Sequence, residues 1–157
     1  MIITDWDIAN NQINQWREAG CTIVFTNGCF DLIHRGHIEL LSAAKEKGDR
    51  LVVGLNGDQS VKRLKGNNRP LQPVEDRAMI LDAIESVDMV VGFEKDTPAE
   101  IILDFLPDVL VKGGDYTTDT IVGADTVIAN GGIVETIPLI PEKSTTALLD
   151  QIIKSAK

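Results

Sequence analysis

Only two histidines occur in this 157-residue chain, and they stand three apart in His34-Arg35-Gly36-His37. An apolar run over 21–25 leads into the small-residue turn Asn27-Gly28-Cys29, and His37, Leu40, Leu41 and Ala44 follow at helical spacing. The spacing predicts a buried strand, a tight turn and a helix N-terminus, with both imidazoles on one side of the first helical turn. A helix start presents unpaired backbone N–H groups and the positive end of its dipole, which favours a phosphate. Gly36, having no side chain, permits close approach of a ligand. A metal pair is the competing chemistry, with Cys29 as a third ligand. Zinc normally takes four ligands in a structural site and three protein ligands in a catalytic one, so the histidines alone fall short and phosphate is the preferred reading.

The elements that must position this turn alternate regularly. A helix is expected over 5–19, stopped by Gly20, with Trp6 and Trp16 as packing residues. Strands are expected at 21–25, 50–55, 87–93, 109–111 and 133–139. Between and after them, a short helix capped by Asp58, a helix opened by Pro73, and helices over 98–106, 121–129 and from 145 onward fit the apolar periodicity. Thr97-Pro98-Ala99-Glu100 has the spacing of a capping box. This is the pattern of an α/β fold, a Rossmann-like parallel five-stranded sheet with helices on both faces. Residues 1–157 are read as a single domain, with 1–20 as a lead-in helix.

In such sheets ligands bind beyond the carboxyl ends of the strands. Four polar segments follow strands and so gather along one edge: 27–37, 56–69, 112–115 and 144–146. The second contains Lys62-Arg63-Leu64-Lys65-Gly66-Asn67-Asn68-Arg69-Pro70, the one concentrated cationic stretch in a chain of net charge −9. Arg77 lies in the first turn of its helix, where a cation gains nothing from the dipole, so another partner is expected for it. The overall acidity excludes a general nucleic-acid binder. Cys21 and Cys29 fit neither a disulfide framework nor a CxxC site, and a cytoplasmic location is expected. No apolar leader is read at 1–19, and no run approaches the ~20 residues of a membrane span. A G-x-G-x-x-G turn and a G-x-x-x-x-G-K-[ST] loop are both missing, which disfavours dehydrogenase and P-loop readings.

Gly28-Cys29-Phe30-Asp31 with His34-Arg35-Gly36-His37 resembles the signature of the cytidylyltransferase-type nucleotidyltransferase superfamily, with its H-x-G-H element. The longer run from Thr26 to His34 resembles most closely the adenylyltransferases of bacterial ADP-heptose synthesis. The resemblance covers about 21–153 and implies transfer of AMP from ATP to D-glycero-β-D-manno-heptose 1-phosphate, releasing pyrophosphate, for lipopolysaccharide core precursors. Mg²⁺ would arrive with ATP. The resemblance implies catalytic roles for His34, His37 and Lys65, the lysine being carried on a mobile loop. Nucleotide contacts are implied for Asn27, Gly28, Cys29, Phe30, Asp31, His34 and His37, for Lys112, Gly113 and Asp115, and for Ser144, Thr145 and Thr146. Acceptor contacts are assigned to Asn56, Asp58, Arg69 and Arg77. The partners are then ATP and a sugar 1-phosphate, with no nucleic acid and no membrane, and a homo-oligomer is expected. CTP with glycerol 3-phosphate, ATP with FMN, and a non-catalytic nucleotide sensor remain alternatives on the same fold.

Overall fold

A computed structural model describes residues 1–114, 116–138 and 145–155. Six strands, all parallel, form one sheet: β1 (Ile2–Ile3), β2 (Ile23–Gly28), β3 (Arg50–Asn56), β4 (Met89–Phe93), β5 (Val109–Gly113) and β6 (Ile133–Ile137). Their order across the sheet is β1-β4-β3-β2-β5-β6. The expected count of five is therefore corrected to six. The extra strand is a two-residue edge, too short to show a period, and pairs Ile2 with Val90 and Ile3 with Val91.

Helices cover both faces, and strand alternation sorts the core between them. On one face Ile23, Phe25, Val52, Met89 and Leu110 meet Ala9 and Ile13 of α1 (Trp6–Glu18), Ile101, Ile102 and Phe105 of α5 (Ala99–Phe105), and Ala124 and Val127 of α6 (Ala124–Ala129). On the other, Val24, Leu51, Val53, Leu55 and Val111 meet Leu40, Leu41 and Ala44 of α2 (Arg35–Lys45) and Ala78 and Leu81 of α4 (Val74–Asp82). Each such side chain withdrawn fully from water contributes roughly 1.5–3 kcal/mol. Gly54 faces the ring of Phe25, where a β-carbon would lie 2.6 Å from Cζ, so this strand position has to be glycine. The lead-in helix is anchored by the Trp6 indole N–H on the Gly92 carbonyl (3.0 Å) and by an edge contact between Trp6 and Phe105.

Three local expectations are corrected. Asp58 does not cap α3 (Asp58–Lys65): Gly57 is its N-cap, and the Asp58 carboxylate is drawn to Arg77 instead. The box at 97–100 does not form, because Pro98 itself is the N-cap and no side chain caps α5. The helix expected over 121–129 begins at Ala124, after a 3₁₀ turn (Thr118–Thr120) and a left-handed Gly123. A β-carbon at Gly123 would press on Ile102, and its left-handed backbone (φ 86°) also favours glycine there. α7 (Thr145–Ser155) carries no fully buried residue.

Candidate active site

Strand β2 pairs with β3 over six residues, from Ile23↔Arg50 to Gly28↔Leu55. With β5 it pairs over only two, Val24↔Val109 and Phe25↔Leu110. The chain leaves β2 toward β3 on one side and returns as β5 on the other, so the two strands part at the switch point of the sheet, where ligands sit in open α/β folds. A cleft of about 640 Å³ opens there.

The turn after β2 builds its floor. Phe30 takes a left-handed backbone (φ 44°), unusual for a bulky residue, and its ring folds back over Gly28, where a β-carbon would lie 3.0 Å from the ring. The same ring meets His37 edge-on at 5.2 Å. His34 is the N-cap of α2, and its Nδ1 accepts the Gly36 N–H (3.1 Å). The Nδ1 of His37 in turn accepts the His34 N–H (3.4 Å). A nitrogen that accepts carries no proton, so each neutral ring holds its hydrogen on Nε2 as a donor. The rings stack with centroids 3.8 Å apart. Burial, and then the proximity of His34, lower the His37 pKa from 6.5 to about 4. The pair therefore meets an anion with N–H donors added to the helix terminus, while His37 brings no titrating charge at neutral pH. Arg35 turns outward to Glu39 on the surface.

Two lysines line the same cleft. Lys112, near the end of β5, donates to Asn27 Oδ1 of β2 (3.2 Å) across the parting strands, and burial pushes its pKa below the usual value. Lys65 is the last residue of α3 rather than part of a loop, and among the described residues it makes no hydrogen bond or ion pair. Asn56 is 3% exposed, donates to Ser60 Oγ (3.0 Å) and also faces the cleft. Cys29 lines it as well, with a thiol that burial holds in the protonated form. Thr145 and Thr146 complete the wall at the start of α7. Asp115 and Ser144 lie outside the described residues, and Gly113 stays within the sheet, paired with Ile137. Among the described residues, no three His, Cys, Asp or Glu side chains are grouped to hold a metal ion.

Several polar residues named from the sequence hold the site together: Asp31 and Arg69 do so while lining the cleft, Arg77 and Asp58 away from it. Asp31, 2% exposed, accepts the N–H groups of Leu71 and Gln72 and the Nε–H of Arg69. Burial alone would raise its pKa, but these donors lower it overall. Arg69 borders the cleft with its guanidinium committed to that carboxylate. Arg77 is fully buried and is corrected from an acceptor contact to a structural hub. It donates to the carbonyls of Gln72 (2.9 Å), Cys29 (2.6 Å) and Asn56 (2.8 Å) and to the Asp58 carboxylate (2.7 Å). Asp58 is spent on Arg77 and does not line the cleft, so its assignment is corrected too. The segment after β4 was missed: Asp96, Thr97 and Pro98 face the cleft, together with Tyr116 and Thr120 beyond β5. The sequence carries a signal for it, since 94–98 follows a strand, but the 97–100 spacing reads first as a helix cap.

A parallel sheet with a histidine-capped helix opening onto a lysine-lined cleft at its switch point defines a Rossmann-like α/β protein. Residues 25–150 match the family model described as cytidylyltransferase-like, and the chain belongs to that family. It is 51% identical to the bifunctional protein HldE of Mesorhizobium japonicum over 150 residues, covering 96% of this chain and 30% of that protein. It is 54% identical to the bifunctional protein HldE of Gluconobacter oxydans over 137 residues, 87% of this chain and 29% of that one. The chain thus spans about 30% of the length of these curated relatives. Among solved structures, a lipopolysaccharide core biosynthesis protein from Thermoplasma volcanium superposes with a TM-score of 0.60 at 25% identity, covering 77% of this chain and 98% of that one. A pantoate-β-alanine ligase from Francisella tularensis shares the fold, with a TM-score of 0.56 at 15% identity over 88% of this chain and 66% of that one. Among the described residues, no helix is long and apolar enough to cross a membrane.

Proposed function

We propose that this chain is an adenylyltransferase that moves AMP from ATP to the phosphate of D-glycero-β-D-manno-heptose 1-phosphate. The observation that carries nucleotidyl transfer is the stacked histidine pair at the start of α2, its Nδ1 atoms committed to backbone donors, in one cleft with Lys65 and Lys112. The heptose acceptor rests on the likeness of the Thr26–His34 run to ADP-heptose adenylyltransferases. The solved lipopolysaccharide core biosynthesis protein and the two HldE relatives support it.

An acceptor phosphate oxygen attacks the α-phosphorus in line, the bond to the β-phosphate oxygen breaks, and pyrophosphate leaves. The acceptor is already ionised near neutral pH, so the protein needs to align the reactants and neutralise charge rather than abstract a proton. His34 and His37 donate to the triphosphate, and Lys65 meets charge developing on the transferred group. Lys112, Asn27, Thr145 and Thr146 hold the nucleotide, with Ser144 and Asp115 assigned to the same task. Mg²⁺ enters as part of the substrate MgATP. A cytoplasmic homo-oligomer belongs to the same reading, and sedimentation of the purified chain tests the assembly.

The deciding experiment is pyrophosphate release with ATP or CTP against heptose 1-phosphate, glycerol 3-phosphate and FMN. The expected result is the highest kcat/KM for ATP with heptose 1-phosphate. Preference for another pair would move the substrate assignment, and nucleotide binding without turnover on any pair would make the protein a sensor.

A further inference from the structure

Helix α3 brings Lys65 to the cleft, yet little apolar contact holds it there. Only Ser60 and Val61 are buried, and residues 62–65 are exposed, Leu64 among them at 47%. Its attachment is polar, and much of it leads to one segment, 94–96, just beyond β4. At the first turn the Ser60 N–H donates to Glu94 Oε2 (3.3 Å) and Ser60 Oγ to the Lys95 carbonyl (2.8 Å). The Glu94 carboxylate fills the space that a β-carbon on Gly57 would need, so it lies against the N-cap of α3. At the last turn, Arg63 donates from Nε to Asp96 Oδ1 and from Nη2 to the Glu94 carbonyl (both 2.5 Å). Among the described residues these are the only side-chain hydrogen bonds of the last turn. The same segment continues into Asp96, Thr97 and Pro98 on the cleft wall. In the sheet it follows β4, on the opposite side of β2 from Lys112 of β5.

We propose that Arg63 is a positioning residue that ties the cleft-lining segment 96–98 to Lys65, so that the lysine is held in register with whatever occupies the β4 side of the cleft. The inference rests on the transferase reading for its kinetic form and on the geometry alone for its structural form. With nucleotide on the β5 and α7 side, the occupant of the β4 side is the phosphorylated acceptor. Arg63 touches neither substrate and acts through Lys65. Two charge-assisted bonds at a half-exposed site make the effect moderate, about tenfold.

The test compares Arg63→Ala, Arg63→Lys, Lys65→Ala and the Arg63→Ala/Lys65→Ala double variant. Arg63→Ala is expected to lower kcat about tenfold with KM for ATP within about twofold, and Arg63→Lys to recover about half of that loss on a logarithmic scale. The double variant should match Lys65→Ala alone within about twofold, because Arg63 has nothing to position once the lysine is gone. A double variant lower by the full factor of the Arg63 substitution, or an unchanged kcat in Arg63→Ala, overturns the proposal. If Arg63→Ala fails to fold, Asp96→Asn weakens one of the two contacts and should show a smaller loss with the same non-additivity. Amide exchange separates this failure from that of the functional reading. Whether or not any substrate pair turns over, exchange at Lys65 and Gly66 should quicken at least about fivefold in Arg63→Ala, and unchanged exchange refutes the tether.

Discussion

His37 is expected to stay neutral well below the ordinary histidine range, with a consequence for stability that can be measured without substrate. Its ring is partly buried, stacked on His34 and flanked by Phe30, and its pKa is lowered from 6.5 to about 4. Above pH 6.5 the ring is neutral in the folded and unfolded chain alike, so the group then imposes no penalty. As pH falls from 6.5 toward 4, the unfolded chain takes up a proton that the folded ring refuses, and folding stability declines across that window. At roughly 1.4 kcal/mol per unit, and allowing for the part of the ring that water reaches, the loss is about 2–3 kcal/mol. Asp31 and Asp88 have lowered pKa values as well, but their contributions disappear only as pH falls further, below the ordinary carboxylate range. The assay is urea denaturation from pH 8 to 4 for the wild type and His37→Asn, whose amide oxygen can still accept the His34 N–H. The stability difference should move by about 2–3 kcal/mol in favour of the variant between pH 7 and pH 4. An NMR titration of the ring with a midpoint near 6.5, or parallel stability profiles for the two proteins, would refute the reasoning.

Lys65→Ala should depress kcat about 10²-fold or more while changing KM for ATP far less, since a lysine without a partner among the described residues can meet transition-state charge. A loss confined to KM would make it a simple attractor of nucleotide. Asp31→Asn should destabilise the fold by about 2–4 kcal/mol, because one amide oxygen replaces a carboxylate that satisfies two backbone N–H groups and Arg69; thermal melts at pH 7 test this, and a melting temperature within a degree of wild type would count against it. His34→Ala should cost about 10²-fold or more in the chemical step with circular dichroism unchanged, and near-normal turnover would remove it from the site.

The repeating strand-helix pattern made the sheet legible before any coordinates, because buried parallel strands read as continuous apolar runs and the helices between them as apolar stripes. What escaped was either too short or too distant in sequence. Ile2–Ile3 makes only two register pairs, a length at which alternation means nothing. Gly123 has a left-handed backbone and no room for a β-carbon against Ile102, a neighbour in space that no local window includes. The site shows the same division. His34, His37, Lys112 and Asn56 could be placed because each lies at or beyond the carboxyl end of a strand. The occupations of Asp31 by Leu71 and Gln72, and of Arg77 by Cys29 and Asn56, are non-local hydrogen bonds that residue type cannot disclose. Arg77 did announce a partner through its misfit with the helix dipole, but the partner was the backbone of the turn itself. The resemblance puts Lys65 on a loop, whereas its helix runs through Lys65 and ends at Gly66 (φ 98°), a C-cap that sets the lysine at the rim.

The narrow pairing between β2 and β5 also bears on how the domain carries load. Six register pairs bind β2 to β3, and two bind it to β5. Only the β1–β4 edge is paired as narrowly, so within the body of the sheet a tension drawn across the strands meets its softest line between β2 and β5, beneath the cleft and under the Lys112–Asn27 bridge. Among the inner strands, stress would concentrate beneath the cleft. A polyanion seated there, clasped from the β2 side by the histidines and from the β5 side by Lys112, acts as a cross-strut. A ligand held this way would be a temporary structural member, and the empty domain should then be mechanically softer than the loaded one along that line.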